Sequence, residues 1–528
     1  MNRIVINKWL KCSSAKVLSC LLVILFLGQA GVSAKDKKNI LFIAVDDLKP
    51  NLGCYGDKSV FSPHIDKLAE RGTVFFNNHC QQAVCAPSRA SLLTGLRPDN
   101  TKVWDLKTIM RDYVPDVVTL PQYLKQNGYV TVALGKIFDS RSVDKGMDTL
   151  SWSVPYYKAN KYNYDPIYGS PYSGRWQLPA TKKEIEKLSV EADKLNLKNS
   201  SKLNYVLGHI KPSTEEADLP DDAYPDGQYT MMAKKCIGEL SKGNTPFFLA
   251  VGFHKPHLPF TAPKKYWDLY NREDFRLAQW QEKPENGPDI AMHNWEELKS
   301  YTDINENIDK SGNLNSSKQL ELIHGYYACV SYIDKQIGEL IDELQKKDLA
   351  QNTIIVLWGD HGWHLGDHGL WCKHSNYEQA TRSPLIIVSP EIEGGRKVSS
   401  PTEFIDIFPT INELVGLPSF DALEGQSLLP VMEGKTGAVK DYAISQYPRG
   451  KSIMGYSLRN DQYRYVEWFD KGSVDNRDIT TWKTVAVELY DYQKDPDETK
   501  NIVFEESYKA IAENLELEMH KFLEKNSQ

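Results

Sequence analysis

The chain has 528 residues, 41% of them hydrophobic and 25% charged, an ordinary composition for a globular protein and a length that allows more than one domain. The formal net charge is −7 and no block of like charge stands out. Neither nucleic acid nor an anionic membrane surface is therefore indicated as a partner.

At the N-terminus, Arg3, Lys8, Lys11 and Lys16 precede an apolar run from Val17 to Leu27, followed by Ala30-Gly31-Val32-Ser33-Ala34. A basic segment, a short apolar core and a small-residue cleavage site read as an export signal over residues 1–34. The run is short for a membrane span, so no stable membrane anchor is expected and the mature protein is placed in the periplasm or outside the cell. Cys12 and Cys20 leave with the signal. The remaining Cys54, Cys80, Cys85, Cys236, Cys329 and Cys372 are too few for a disulfide framework in so long a chain, and read as mostly buried free thiols with room for one bridge.

Continuous apolar runs at Ile40–Val45, Val130–Leu134, Phe247–Val251, Thr353–Trp358 and Leu385–Val388 have the pattern of buried parallel strands. Helical patterns lie between them, the clearest from Leu320 to Leu344 with Leu322, Tyr326, Cys329, Ile333, Ile337 and Leu340 on one face. Strands alternating with helices predict an α/β domain over residues 35–434, with a large, mainly parallel sheet flanked by helices. Loop-rich stretches run from Asp139 to Gln228, with one charged helix near Lys182–Leu197, and from Asn271 to Ser317; long loops in a compact enzyme usually wall a binding site. After Gly434, short strands near Asp441–Ser445, Ser452–Arg459 and Tyr463–Trp468 and a helix over Glu505–Leu523 predict a smaller α+β domain, residues 435–528.

Open α/β sheets place their sites at the carboxyl ends of the strands, and polar residues collect there. Ile40–Val45 ends in Asp46-Asp47, Thr353–Trp358 in Gly359-Asp360-His361, Phe247–Val251 in His254-Lys255-Pro256-His257 and Val130–Leu134 in Gly135-Lys136. Converging carboxylates suit a hard cation such as Ca²⁺ or Mg²⁺, and lysines beside them, with Lys373 as a second, suit an anionic substrate. A lone Asp-Asp after a strand is more often a turn or cap; the four strand ends together carry the reading.

Residues 83–95 read AVCAPSRASLLTG. This run resembles the signature of the type I sulfatases, whose C-x-P-S-R core directs oxidation of the cysteine to formylglycine (3-oxoalanine). Cys85, Pro87 and Arg89 match the core, and Leu92 to Gly95 match its downstream part. Gly128–Phe138, Val251–Phe260, Trp358–Asn376, Phe404–Thr410 and Glu488–Ile502 resemble other segments of the family, with HKPH, D-H-G-W and W-x-K-x-S-N most similar to its iduronate-2-sulfatase branch. The resemblance implies an alkaline-phosphatase-like fold and a formylglycine-generating or sulfatase-maturating enzyme as partner. Pro87 and Ser88 open a helix, so residue 85 is expected at the positive end of a helix dipole. A hydrated aldehyde there offers one hydroxyl to attack sulfur and a second to expel sulfate afterwards.

By the same resemblance, Asp46, Asp47, modified Cys85, Asp360 and His361 hold the metal, with Ca²⁺ favoured over Mg²⁺. Lys136, His254 and Lys373 bind the sulfate group, Arg89 holds the formylglycine, His254 or Lys373 protonates the leaving oxygen, and Asp360 serves as base for the attacking hydroxyl. Two positions depart from the family pattern. His361 stands where most members carry Asn, although the iduronate branch uses His. Asp139 stands where the K-x-x-H pattern puts a histidine, so either Asp139 or a loop histidine is expected to accept the proton of the elimination step.

His257, His364, His368 and His374 are further candidates for substrate contact, as are Arg459 and Arg464; structural roles compete for all of them. The resulting expectation is a sulfuric ester hydrolase acting on a sulfated carbohydrate such as ulvan, carrageenan, fucoidan or a glycosaminoglycan. The competing expectations are a phosphodiester or phosphonate hydrolase of the same superfamily and a non-catalytic binder of sulfated glycans.

Overall fold

The alternation of apolar runs with amphipathic segments produces one seven-stranded sheet covered by helices on both faces. The computed structural model describes residues 37–157, 174–310 and 312–527, and Lys38–Gln528 form one compact unit. The export signal expected over residues 1–34 lies outside the described residues. No helix among the described residues is long and apolar enough to cross a membrane.

The strands are β1 (Asn39–Val45), β2 (Thr73–Phe75), β3 (Val130–Gly135), β4 (Phe247–Phe253), β5 (Thr353–Gly359), β6 (Leu385–Val388) and β7 (Arg396–Val398), in the spatial order β7-β2-β6-β5-β1-β4-β3. β1 shows why such strands read as unbroken apolar runs. Ile40, Phe42 and Ala44 face one core while Leu41, Ile43 and Val45 face the other, so neither face can be polar. β5, β1, β4 and β3 pair in parallel, as do β2 and β7. The expectation of a parallel strand at Leu385–Val388 is corrected: β6 runs antiparallel to both β5 and β2. A parallel neighbour needs a crossover, usually a helix. Here the chain leaves β5 at its carboxyl end, forms short loop elements over residues 360–384 and re-enters the sheet from that same end.

On one face packs helix α1 (Cys85–Thr94), through Ala86, Ala90, Leu92 and Leu93. On the other pack α2 (Pro225–Leu240) and the 31-residue α3 (Ser316–Lys346). α3 starts a turn earlier than its apolar stripe suggests because the Asn315 side chain accepts a hydrogen bond from the Lys318 backbone N–H at 2.9 Å, a cap that satisfies one of the helix's open donors.

The C-terminal part is a four-stranded antiparallel sheet, β8 (Ala443–Arg449), β9 (Ile453–Arg459), β10 (Tyr463–Asp470) and β11 (Lys483–Asp491), in that order. Helix α4 (Lys509–Ser527) packs on it through Leu515, Met519 and Leu523. Val466, Trp468 and Tyr490 of this sheet belong to the core of the large sheet. β11 escaped the sequence pattern because its first residues are exposed and carry no buried alternation. All six described cysteines are free thiols.

Candidate active site

The backbone beyond β1 is held by its two neighbours: Asp46 N–H donates to Phe253 O at 3.1 Å and Asp360 N–H donates to Val45 O at 3.2 Å. Asp47 then adopts a left-handed conformation, φ +60°, which aspartate tolerates better than most residues. Its N–H donates to Asp360 Oδ1 at 2.8 Å, and its carbonyl accepts from Tyr326 OH of α3 at 2.8 Å. Three buried carboxylates, Asp46, Asp47 and Asp360, are thereby brought together. Gly135 and Gly252 let the ends of β3 and β4 close on each other. A Cβ at Gly135 would lie 1.9 Å from Gly252 O, and one at Gly252 would lie 2.1 Å from Lys136 O.

Cys85 is the first residue of α1, where unpaired backbone N–H groups favour negative charge. Its Sγ lies 3.5 Å from His361 Nε2 and 3.9 Å from Asp47 Oδ1. Burial, and then Asp46, push the Cys85 thiol well above its usual range. The unmodified side chain is therefore a neutral thiol and a poor nucleophile. Arg89, one turn on, is fully buried and ties the strand ends together. Its Nε donates to Asp360 Oδ2 at 2.9 Å, its Nη2 to Asp46 Oδ1 at 3.0 Å and its Nη1 to Ile137 O at 3.1 Å and to Lys136 O. Its hydrogen bonds thus go to the carboxylates and to the backbone just beyond β3.

Lys136 Nζ lies 2.7 Å from Asp46 Oδ2. Lys373 Nζ lies 3.1 Å from both oxygens of Asp47 and from Glu297 Oε2, above the Trp363 ring. Burial opposes the charge of both lysines, but Asp46 for one, and Asp47 with Glu297 for the other, hold them as cations. Burial likewise opposes ionisation of Asp46, yet Lys136 and Arg89 bring its carboxyl well below the usual range. Asp360 moves the other way, raised by burial against the pull of His361 and Arg89.

His254 stacks on Tyr229, centroids 5.8 Å apart, and its backbone N–H donates to Asp226 Oδ1 at 2.9 Å. His257 Nε2 lies 3.1 Å from Glu297 Oε1 and 3.7 Å from Asp47 Oδ2. His361 Nδ1 pairs with Gly362 O at 2.9 Å, which leaves Nε2 facing the carboxylates as a lone-pair donor.

The donor set fits a hard divalent cation. Ligand atoms of Asp47, Cys85, Asp360 and His361 all lie within 4.8 Å of one another, as do those of Asp46, Asp47, Cys85 and His257. Buried carboxylate oxygens dominate, as Ca²⁺ and Mg²⁺ require, with one imidazole as the softer member.

Four of the candidates have internal partners: Arg459 Nε donates to Glu378 Oε2 at 3.0 Å and its guanidinium lies 3.8 Å from the Tyr492 ring centre. His364 is fully buried with Ser375 Oγ at 2.9 Å and the rings of His293, His368 and Tyr377 around it. Arg464 is spent on Glu498 and Asn376 O, and His368 on Asp497 O. His374, by contrast, reaches Glu297 at 3.2 Å. Sequence reasoning missed Glu297, Asp226 and Arg141. Glu297 sits on a single helical turn, Glu296–Lys299, inside the second loop-rich stretch, where no periodicity marks it.

Residues 38–417 match the family described as Sulfatase. The chain belongs to the sulfatase family. Residues 366–525 also match the family described as N-sulphoglucosamine sulphohydrolase, C-terminal. This sulfatase is 33% identical to the iduronate 2-sulfatase of Mus musculus over 96% of its own length and 98% of the relative. It is 30% identical to a sulfatase of Formosa agariphila over 91% and 86% of the two chains. The fold matches the phosphonate monoester hydrolase of Agrobacterium radiobacter with a TM-score of 0.67 at 21% identity, covering 93% and 96% of the two chains. The protein is thus a sulfuric ester hydrolase with the alkaline-phosphatase-like architecture expected from its motifs.

Proposed function

We propose that this sulfatase is exported and releases sulfate from a sulfated glycan, with Cys85 oxidised to formylglycine and a divalent cation, Ca²⁺ rather than Mg²⁺, held beside it. The carrying observation is the placement of a neutral, buried thiol at the start of α1, 3.5 Å from His361 and amid three carboxylates. A thiol so placed is unsuited to attack an anion, whereas the motif around it is that of a residue modified by a maturating enzyme. Formylglycine supplies a hydrated aldehyde whose hydroxyl is the nucleophile, and the cation supplies positive charge to the sulfate oxygens.

Asp46, Asp47, Asp360 and His361 hold the cation together with residue 85. Lys136 and Lys373, both kept charged by carboxylate partners, neutralise the sulfate, and His254 closes the site from the β4 end. His254 or Lys373 donates the proton to the leaving oxygen. Arg89 fixes the mutual orientation of Asp46 and Asp360. The similarity to iduronate 2-sulfatase, and the cationic site, support a sulfated sugar as substrate. The test is sulfate release from a panel of sulfated oligosaccharides by the matured enzyme and by Cys85→Ala. Release by the wild type alone supports the reading; release that survives the substitution overturns it.

A further inference from the structure

Lys136, Asp139 and Arg141 continue the charge pattern of the site outward to the surface. Lys136 Nζ lies 2.7 Å from Asp46 Oδ2 and 3.8 Å from Asp139 Oδ2. Asp139, only 2% exposed, grips Arg141 along one edge: Nε donates to Oδ1 at 2.8 Å, Nη2 donates to Oδ2 at 2.7 Å, and the Arg141 backbone N–H donates to Oδ1 at 3.0 Å. A two-point clamp of this kind fixes the plane of a guanidinium as well as its charge. The Arg141 side chain remains 50% exposed, and its Nη1 has no protein hydrogen-bond partner among the described residues. Asp139, which touches Lys136 on one side and Arg141 on the other, is what links this guanidinium to the site.

We propose that Arg141 binds a second anionic group on the substrate, a carboxylate or second sulfate on the sugar that carries the scissile sulfate, and that Asp139 is the residue that positions it. This rests on the sulfatase reading of the site. The scissile sulfate has Lys136, Lys373 and His254 around Cys85. Arg141 stands one carboxylate further out, joined to Lys136 through Asp139 and half exposed. Burial in the clamp also explains the aspartate at position 139: it does not act as an imidazole would, but holds a cation in place.

The test is calorimetric binding to Ca²⁺-loaded Cys85→Ala protein, which needs neither oxidation of residue 85 nor turnover. Three sulfated disaccharides serve as probes: one with a uronate carboxylate, one with a second sulfate, and one singly sulfated and otherwise neutral. Arg141→Gln weakens the first two about tenfold, the loss expected for a charged hydrogen bond, and leaves the third within about twofold. Arg141→Lys recovers part of the loss, and Asp139→Asn weakens the acidic ligands selectively. Equal loss on all three probes, no loss, or failure of the wild-type site to prefer acidic sugars overturns the proposal. Sulfate release by the matured enzyme is read separately, so failure of the proposed activity is distinguishable from failure of this assignment.

Discussion

Lys373 and Asp47 face each other across the site, with Nζ 3.1 Å from each carboxylate oxygen and both residues buried. The lysine therefore balances a carboxylate that has no access to water. Lys373→Met removes that balance, and an orphaned buried charge destabilises by about 3–5 kcal/mol. A bound divalent cation supplies charge to the same carboxylate, so the drop in melting temperature is expected to be larger in chelator than in excess Ca²⁺. Equal drops in both buffers would separate Asp47 from the cation site.

A cation held by the three carboxylates, as proposed, would stabilise the folded state. Calcium at a hundred times its dissociation constant stabilises by about 2.7 kcal/mol. Chelation of the purified protein is expected to lower the melting temperature, Ca²⁺ to restore it, and Mg²⁺ to restore it less. Asp46→Asn should remove most of this response and the bound ion seen by elemental analysis.

Arg89 is a structural tie that lysine cannot replace. Its guanidinium joins Asp360, Asp46 and the Ile137 carbonyl from three directions, which a single ammonium cannot reproduce. Arg89→Lys is expected to lower sulfate release by about 100-fold, a loss equivalent to about 2.7 kcal/mol, and to destabilise the protein measurably in denaturant. Near-normal turnover would show that the orientation of Asp46 and Asp360 does not depend on the fork.

The Arg459–Glu378 pair gives a pH signature away from the chemistry. Burial alone would raise the Glu378 carboxyl, but Arg459 brings it down to about 2. A depressed carboxyl contributes stability that is present above its unfolded pKa of 4.5 and lost as pH falls through about 2, some ~3 kcal/mol for such a shift. Urea unfolding between pH 5 and pH 2 should show this loss in wild type, and much less of it in Arg459→Gln, which is already destabilised at pH 7. The same variant is expected to keep the wild-type KM, because the Arg459 guanidinium is engaged by Glu378 and Tyr492.

Much of this was legible in the sequence for a physical reason. β1, β4 and β5 are buried on both faces, so their apolar runs are unbroken, and β3 pairs in parallel beside β4; the strand ends mark Asp46, Asp47, Asp360, His361 and Lys136, and the family resemblance supplied their roles. Cys85 was legible from its motif, which the helix start then explains. The antiparallel sense of β6 was not, because strand direction depends on the path of residues 360–384 and leaves no local mark. The internal partners of Arg459 and His364, Glu378 and Ser375, were not legible, because a polar residue near a site motif looks the same whether it faces ligand or another side chain. Glu297 reaches Lys373 and His257 from a single helical turn within a loop-rich stretch, where spacing carries no information about three-dimensional proximity.

The most direct measurement is mass spectrometry of the peptide containing Cys85, taken from sulfate-releasing protein made in its native host. Formylglycine at residue 85 is the predicted result. An unmodified cysteine thiol in that active protein would contradict the account at its centre.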